Sequence, residues 1–243
     1  MATIASTKII QPSTILNKSG KRLKMAISCD SLGGIRIKED GRMPGNLLRV
    51  REFLNSSTTQ SKIISNKIIT SDSITDGNSS TTVSLTRENS KLMNAIVMGN
   101  NTFAKLGNKP LSNRFNYVLS NNNLVKLALP SGELQGPMFS NTLIKTSIED
   151  AFTHASSNSK VESVIIIGGE TLYNETLETC IFDDVFFVQT KKDCDCDKRI
   201  NYDMFTTKIL NNPDFERKIE YEDNEIVMMV LHNQRTKSEC LYE

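Results

Sequence analysis

The pattern with the most chemical content is an apolar run that ends in two adjacent glycines, VIIIGGETLY at residues 164–173. Paired glycines at the end of a strand let backbone amides approach a phosphate group, and the start of the following helix adds positive potential. A glycine pair is also a common solution for a tight strand-to-helix turn. Gly168 and Gly169 are therefore candidates for a phosphate-binding turn, with a plain turn as the alternative.

Two further segments carry candidate ligand-binding side chains. The segment IVMGNNTF (96–103) repeats the order strand, glycine, helix start, and its Thr102 can cap the helix or contact a phosphate. The segment KPLSNRFNYVLS (109–120) places Arg114 just before an apolar run, where a guanidinium group can hold a carboxylate with two hydrogen bonds. A solvent-exposed arginine without a ligand is the alternative for Arg114.

The cysteines do not indicate a metal site. Cys194 and Cys196 lie among three aspartates, without the nearby histidine or second cysteine pair that a tetrahedral zinc site needs. We predict an acidic surface loop there and no metal. The five cysteines are scattered and odd in number, which favours an intracellular reducing compartment over a secreted disulfide scaffold.

The elements that must position these side chains are short apolar runs separated by helix-like stretches. Six runs have the length of strands: residues 25–29, 95–98, 116–119, 164–167, 185–189 and 226–232. Three stretches between them have helical character: residues 101–106, 147–156 and 170–178. Near-continuous apolar runs suit strands that are buried on both faces of a sheet. The alternation predicts an α/β fold with a central, mostly parallel sheet, flanking helices and an antiparallel C-terminal edge strand.

Composition sets the organisation of the 243-residue chain and excludes two classes of partner. The net charge of +1 gives no general electrostatic reason to expect nucleic-acid binding. No apolar stretch approaches the length of a membrane span, so no membrane-spanning helix is predicted. The chain is basic and free of acidic residues before Asp30, which is typical of a mitochondrial or other organellar transit segment. A plain flexible tail on a cytoplasmic protein is the alternative.

A second compositional break covers residues 55–90, where Ser, Thr and Asn make up more than half of the segment. Such a segment cannot bury enough apolar surface to offset its ordering entropy. We therefore expect a basic extension at 1–23, one domain at 24–233 with a low-complexity insertion at 55–90, and a tail at 234–243. The extension and the insertion are candidate docking segments for protein partners.

In this order and spacing, the motifs resemble those of the dihydrofolate reductase family. The family has a first strand with a Gly-containing loop and Leu-Pro-Trp, then Met-Gly-Arg-x-Thr-Trp, Pro-Leu-x-x-Arg-x-Asn-x-Val-Leu-Ser and Gly-Gly-x-x-x-Tyr. The first of these corresponds here to MAISCDSLGGIRIKEDGRMP (25–44), and the other three to the segments quoted above. The resemblance implies the fold of that family, NADPH as the cofactor, and hydride transfer to dihydrofolate, a folate-like small molecule.

The resemblance also implies roles for individual residues at the cofactor. Gly168 and Gly169 would approach the pyrophosphate across a cis peptide bond, with Tyr173 below them. Thr102 would contact a phosphate, and Ser120 would lie near the adenosine ribose.

At the substrate, the resemblance implies three contacts and one catalytic acid. Ala26 would lie beside the pterin ring, the Ile167 carbonyl would contact the pterin amino group, and Arg114 would bind the carboxylate of the folate tail. The candidate catalytic carboxylate is Glu52, which stands one residue later than the family spacing. If that extra residue is not absorbed by the helix, Arg51 faces the cleft instead.

Four positions depart from the family pattern: Arg36 and Asn100 replace a glycine and an arginine, Gly45 replaces a tryptophan, and Gln189 falls at the threonine that hydrogen-bonds the catalytic carboxylate. From these departures we expect a catalytically impaired protein that serves as a structural or accessory subunit of a larger assembly. The alternative is an active NADPH-dependent dihydrofolate reductase. A third alternative is reduction of another heterocycle on the same fold.

Overall fold

Eight strands form a single sheet in the computed structural model, with the order β4-β3-β2-β5-β1-β6-β8-β7. The structure describes residues 12–35, 53–54, 92–120, 141–193 and 195–235. The strands are β1 (Arg22–Cys29), β2 (Met93–Gly99), β3 (Phe115–Leu119), β4 (Thr142–Lys145), β5 (Val161–Ile166), β6 (Asp184–Thr190), β7 (Phe215–Glu222) and β8 (Ile226–Asn233). The first six strands are mutually parallel, and β7 and β8 are antiparallel to their neighbours.

The helices within the described residues are α1 (Ser13–Asn17), α2 (Asn100–Lys105), α3 (Ile148–Ser157), α4 (Glu170–Thr179) and α5 (Tyr202–Phe205), which continues into a π-helical turn (Thr206–Leu210). Helix α3 has a capping residue at its start, since the Ser147 hydroxyl accepts a hydrogen bond from the Asp150 amide at 3.1 Å. None of the helices in the described part of the chain has the length and apolar character needed to cross a membrane.

The predicted fold class is confirmed. The six apolar runs correspond to β1, β2, β3, β5, β6 and β8, and the three helical stretches correspond to α2, α3 and α4. The last run is antiparallel as predicted, but it is not the edge strand, because β7 pairs along its outer side. The sequence of β7, FERKIEYE, is mostly exposed and therefore carries no apolar pattern that would predict it.

The expected boundary after residue 23 falls inside β1, and part of the N-terminal extension is packed against the domain. Leu16 of α1 is fully buried in the core, and the Lys21 ammonium group donates to the carbonyls of Asn158 and Val161 at 2.7 Å. The domain therefore includes the chain from Pro12 onward. The rest of the extension, the whole insertion at 55–90 and most of the tail at 234–243 lie outside the described residues.

The alternation of side chains divides the core into two faces of the sheet. The first face contains Met25 and Ile27 of β1 and is covered by α1, α3, α4 and α5. The second face contains Ala26 of β1 and is covered by α2 and by the helical residues Phe53 and Leu54. The carboxyl ends of the six parallel strands meet at one edge of the sheet, which is where open α/β sheets bind ligands.

Candidate functional site

The Gly168–Gly169 turn follows β5 at the carboxyl edge of the sheet, and its peptide bond is cis, as the sequence resemblance implied. Gly168 has a φ of +106°, and a Cβ added there would lie 2.8 Å from the Tyr173 ring. A Cβ added at Gly169 would lie 3.3 Å from the Thr102 hydroxyl oxygen. Larger residues would therefore crowd the turn, in which Gly168 is buried and Gly169 is half-buried between α2 and α4.

Backbone and side-chain hydrogen bonds hold this turn against two neighbouring strands. The Gly99 amide at the end of β2 donates to the Gly168 carbonyl at 2.8 Å. The Tyr173 hydroxyl on α4 donates to the Ala26 carbonyl of β1 at 2.7 Å. Burial raises the pKa of the Tyr173 hydroxyl, with a further contribution from Cys29, so it remains a protonated donor at neutral pH. The turn, β1 and β2 thus form one rigid unit.

Thr102 and Asn100 lie on α2, the helix that starts directly after Gly99. The structure makes Gly99 the N-cap, without a side-chain cap, so Thr102 is inside the helix and does not cap it. Its hydroxyl faces Gly169, which places a hydroxyl group beside the glycine turn. Asn100 is half-buried in the first turn of the same helix. Gly99 is the glycine of the strand, glycine, helix start pattern, and the structure adds that its amide donates to the Gly168 carbonyl.

Arg114 and Ser120 lie at opposite ends of β3 and are not brought together. Arg114 is 8% exposed, and its Nε donates to the Ser112 carbonyl at 3.0 Å, so it is not a solvated surface arginine. Ser120 is half-buried after the carboxyl end of the strand, and its amide donates to the Lys145 carbonyl at 2.9 Å. Ser120 therefore lies on the edge that carries the glycine turn, whereas Arg114 precedes the strand at its amino end.

The candidate catalytic residue Glu52 lies outside the described residues, as do Arg51, Arg36 and Gly45. The residue after Glu52 is described. Phe53 is buried on the second face and stacks on Phe186 of β6 with ring centroids 5.1 Å apart. The next carbonyl, of Leu54, accepts a hydrogen bond from the Asn94 side chain of β2 at 2.9 Å. The two described residues after Glu52 are thus anchored to the face that also contains Ala26.

Asp30 is a buried carboxylate at the end of β1, and its contacts indicate a structural role. Its Oδ1 accepts hydrogen bonds from the amides of Leu32 and Gly34 at 2.9 and 2.7 Å. These bonds shape the loop that returns to pair Ile35 with Cys29. The Asp30 carboxylate therefore holds the glycine-containing loop in place by accepting hydrogen bonds from its backbone amides.

The expected place of Gln189 beside the catalytic acid is corrected by the strand alternation. Gln189 pairs across the sheet with Cys29 and Val227, which belong to the first face. The second face of β6 carries Phe186 and Val188 instead. Since the helical residues Phe53 and Leu54 cover the second face, Gln189 is on the wrong side of the sheet to contact an acid in that segment. The alignment of the sequence with the family motif therefore placed Gln189 one residue out of register with the second face.

The prediction of no metal site at the Cys194–Cys196 loop stays a prediction, because Cys194 lies outside the described residues. Within the described ranges, no group of three or more His, Cys, Asp or Glu side chains could hold a metal ion. Cys29 and Cys180 are free, buried thiols, while Cys196 is disulfide-bonded. Burial raises the pKa of the Cys29 thiol to about 12, with a contribution from Asp30, so it is protonated at neutral pH.

Comparison with known proteins assigns this arrangement to a family. Residues 87–230, more than half of the chain, match the family model described as dihydrofolate reductase.

The chain belongs to the dihydrofolate reductase family.

Two curated relatives in this family align with parts of the chain. The bifunctional dihydrofolate reductase-thymidylate synthase of Paramecium tetraurelia is 28% identical over 142 residues, covering 57% of this chain and 28% of the relative. The dihydrofolate reductase of Ureaplasma parvum is 30% identical over 113 residues, covering 45% of this chain and 61% of the relative. The matched part therefore spans less than two thirds of either relative.

Two solved dihydrofolate reductases have the same fold. The enzyme from Schistosoma mansoni superposes with a TM-score of 0.52 at 18% identity, covering 88% of this chain and 98% of that one. The enzyme from Enterococcus faecalis, complexed with NADP(H) and RAB-propyl, superposes with a TM-score of 0.50 at 16% identity, covering 87% and 95%. At these identities the comparison establishes the fold of this dihydrofolate reductase family member.

Proposed function

We propose that this member of the dihydrofolate reductase family binds NADPH at the Gly168–Gly169 turn and reduces dihydrofolate. The observation that carries the proposal is the absence of side chains at that turn. The Tyr173 ring and the Thr102 hydroxyl leave too little space for a Cβ atom at either glycine. At Gly169 the backbone has an ordinary negative φ, so the preference for glycine comes from the narrow space beside Thr102 and not from the backbone conformation. A ligand that approaches this backbone closely would use the same space.

The residues around the turn fit a reduced dinucleotide. The helix α4 begins at Glu170, directly after Gly169, so its first amides are available for an anionic pyrophosphate. The Thr102 hydroxyl faces the same turn, and Ser120 lies on the same edge of the sheet. We assign the phosphates to Gly168, Gly169 and Thr102, and the ribose side of the cofactor to Ser120.

For the substrate we assign the pterin ring to the second face, beside Ala26 and the backbone of Ile167. The Tyr173 hydroxyl fixes the Ala26 carbonyl, and the Ile167 amide donates to Val97, so both backbone segments are preorganised. Arg114, buried at the amino end of β3, is assigned to a carboxylate of the folate tail. The substrate would then extend across the face from the glycine turn.

NADPH supplies the hydride when it is bound, and the chain must supply a proton and the alignment of the two rings. We assign the proton to Glu52, whose successor residues are anchored to the second face by the Phe53–Phe186 stack and the Asn94–Leu54 hydrogen bond. A positioned general acid typically contributes about 10²–10⁴-fold to the rate. Turnover is therefore proposed to depend on this one carboxylate.

A non-catalytic accessory subunit remains the second candidate, and Asn100 is the observation that favours it. An asparagine there supplies no positive charge for the cofactor phosphates, unlike the arginine of the family pattern. In this version the segments 1–23 and 55–90 would dock on protein partners, and an organelle would be the compartment. Since Thr190 of β6 pairs with Ile226 of the second face, a threonine does stand on that face, which removes one of the four departures that motivated this candidate.

The test is dihydrofolate-dependent oxidation of NADPH by the purified full chain. We expect measurable turnover by the wild-type protein and loss of at least 100-fold in Glu52→Gln, the lower end of a general acid's contribution. Glu225→Gln, which removes an exposed carboxylate in the turn between β7 and β8, is the matched control and should retain wild-type turnover. Absence of turnover in a wild-type protein that still binds NADPH would favour the accessory role.

A further inference from the structure

The Ser28 side chain is a buried polar group whose hydrogen-bonding capacity is not used by the protein. Ser28 is 3% exposed, and its hydroxyl oxygen has no hydrogen-bond partner. Within the described ranges it shares this property with only two other side chains, Thr142 and Thr206. Buried hydroxyl groups are nearly always hydrogen-bonded in native structures, so each exception needs a physical explanation.

Position distinguishes Ser28 from the other two. Thr142 begins β4 at the amino end of an edge strand, and Thr206 lies in the π-helical turn after α5. Ser28 lies instead near the carboxyl end of the central strand β1, at the edge of the sheet that carries the glycine turn. It pairs with Val188 of β6 and shares the second face with Ala26, where the substrate ring is assigned.

The pairing of β1 leaves one side of Ser28 without a neighbouring strand. The ladder between β1 and β5 ends at Met25 and Ile166, and the chain of β5 then turns away at Gly168. The Ala26 carbonyl on that side is already occupied by the Tyr173 hydroxyl. Beyond it, the first polar side chain along β1 on the second face is that of Ser28, beside the gap where the two strands separate.

We propose that the Ser28 hydroxyl hydrogen-bonds to the amide group of a planar nitrogen heterocycle bound where β1 and β5 separate. This inference rests on the proposed function. A hydroxyl both donates and accepts one hydrogen bond well, and a conjugated amide offers one group of each kind. Nicotinamide and pterin both carry such an amide, so this chemistry is shared by the cofactor and the substrate. Ligand binding would supply the partner that the folded protein lacks.

The proposal predicts opposite effects of one substitution on stability and on binding. Ser28→Ala removes a buried hydroxyl that is unsatisfied in the free protein, so the ligand-free protein should melt at a temperature a few degrees higher. The same substitution removes a hydrogen bond to the ligand, so affinity should fall about 2- to 12-fold, the equivalent of one hydrogen bond. If Ser28 served only the packing of the core, the substitution would not both raise the melting temperature and lower the ligand affinity.

The experiment measures thermal melting without ligand and separate titrations with NADPH and with folic acid, using the full chain. Thr142→Val is the matched control, because it removes an unsatisfied hydroxyl at the opposite edge of the sheet and should raise the melting temperature without changing either affinity. Weaker binding of NADPH alone in Ser28→Ala assigns the amide to the nicotinamide, and weaker binding of folic acid alone assigns it to the pterin.

Two outcomes would overturn the inference, and they are distinguishable. If the wild-type protein binds either ligand and Ser28→Ala binds both with unchanged affinity, the role of Ser28 is wrong while the proposed function stands. If the wild-type protein binds neither ligand, the proposed function fails, and the role of Ser28 fails with it.

Discussion

Gly168 and Gly169 are adjacent in the chain, yet the structure gives them different tolerances to substitution. At Gly168 both the positive φ and the Tyr173 ring oppose a side chain. At Gly169 the φ is negative, and the closest atom is a hydroxyl oxygen that can shift by a few tenths of an ångström. Gly168 is therefore needed for the backbone conformation of the turn, whereas Gly169 keeps the space beside Thr102 free of a side chain.

This difference predicts unequal losses of stability. Gly168→Ala should lower the free energy of unfolding by about 1–3 kcal/mol, the usual cost of a strained backbone conformation, and the contact with Tyr173 should add to it. Gly169→Ala should lower it by clearly less. Urea unfolding of the two variants checks the prediction. Equal losses would contradict the assignment of strain to Gly168 alone.

Asn100 provides a second prediction at the scale of one residue. Asn100→Arg places a guanidinium group at the start of α2, beside the proposed phosphate site, and should tighten NADPH binding by about 1.5–3 kcal/mol if a charged hydrogen bond forms. Asn101→Arg adds the same charge at the next, exposed position and is the control. Titration calorimetry distinguishes the two. Equal tightening in both would mean that general charge, rather than the position of Asn100, sets the affinity.

Among the elements, β1, β6 and β8 meet at a buried cluster of charges. The Asp184 carboxylate accepts a hydrogen bond from Arg22 at 2.8 Å and contacts His232 at 2.7 Å, with the buried Lys24 ammonium group 3.8 Å away. Burial opposes ionisation of Asp184, but the His232 hydrogen bond and the positive charges of Arg22 and Lys24 outweigh it and hold the pKa of this carboxyl below its ordinary value. Burial lowers the pKa of Lys24, against the attraction of Asp184.

Asp184→Asn should therefore be strongly destabilising at neutral pH, by about 3–5 kcal/mol, because it removes the partner of a buried cation. The sign of the pH dependence follows from the lowered pKa. The Asp184 charge stabilises the fold above the unfolded-state pKa of about 3.9, and this contribution is lost as the pH falls through the folded-state pKa. The difference between wild type and variant should thus shrink on acidification below that range.

Urea unfolding at neutral and acidic pH checks this prediction, with Asp150→Asn as the control. Asp150 also has a lowered pKa, through its hydrogen bond with Lys145, but it is partly exposed at the surface. Its loss should change stability by about 1 kcal/mol or less. A loss at Asp184 that is no larger than the loss at Asp150 would contradict the account of the buried cluster.

The elements also explain which parts of the site could be predicted from the sequence. The glycine turn, Thr102 and Tyr173 were predictable because a short motif fixes their positions relative to one strand end. Gln189 was misplaced because a period of two residues makes a one-residue error in register a change of face. Ser28 carried no sequence signal, since its importance comes from the point at which β1 and β5 separate.

At the scale of the molecule, six of the eight strands in the described part of the chain follow from apolar runs, and the two that do not are the edge strands β4 and β7. Edge strands are exposed on one side and tolerate polar residues, so they have no apolar run by which the sequence would predict them. Helix α1 was missed for another reason. It is only five residues long and lies in a basic segment, yet its Leu16 is fully buried against the first face.

The packing of α1 predicts that the N-terminal segment contributes to the stability of the whole domain. Leu16→Ala should lower the free energy of unfolding by about 2–5 kcal/mol, as for other buried leucines. Asn17→Ala on the exposed side of the same helix should change it by about 0.5 kcal/mol or less. Thermal or urea unfolding measures both. A negligible effect of Leu16→Ala would mean that α1 is not part of the cooperative unit.

The claim on which the functional account depends is that the Gly168–Gly169 turn is a dinucleotide site, and a titration of NADPH into the purified full chain tests it most directly. The account predicts saturable binding by the wild-type protein and binding at least about tenfold weaker, or 1.4 kcal/mol, in a folded Gly169→Ala variant whose added methyl group occupies the approach beside Thr102. No binding by the wild-type protein, or equal binding by the folded variant, would contradict it.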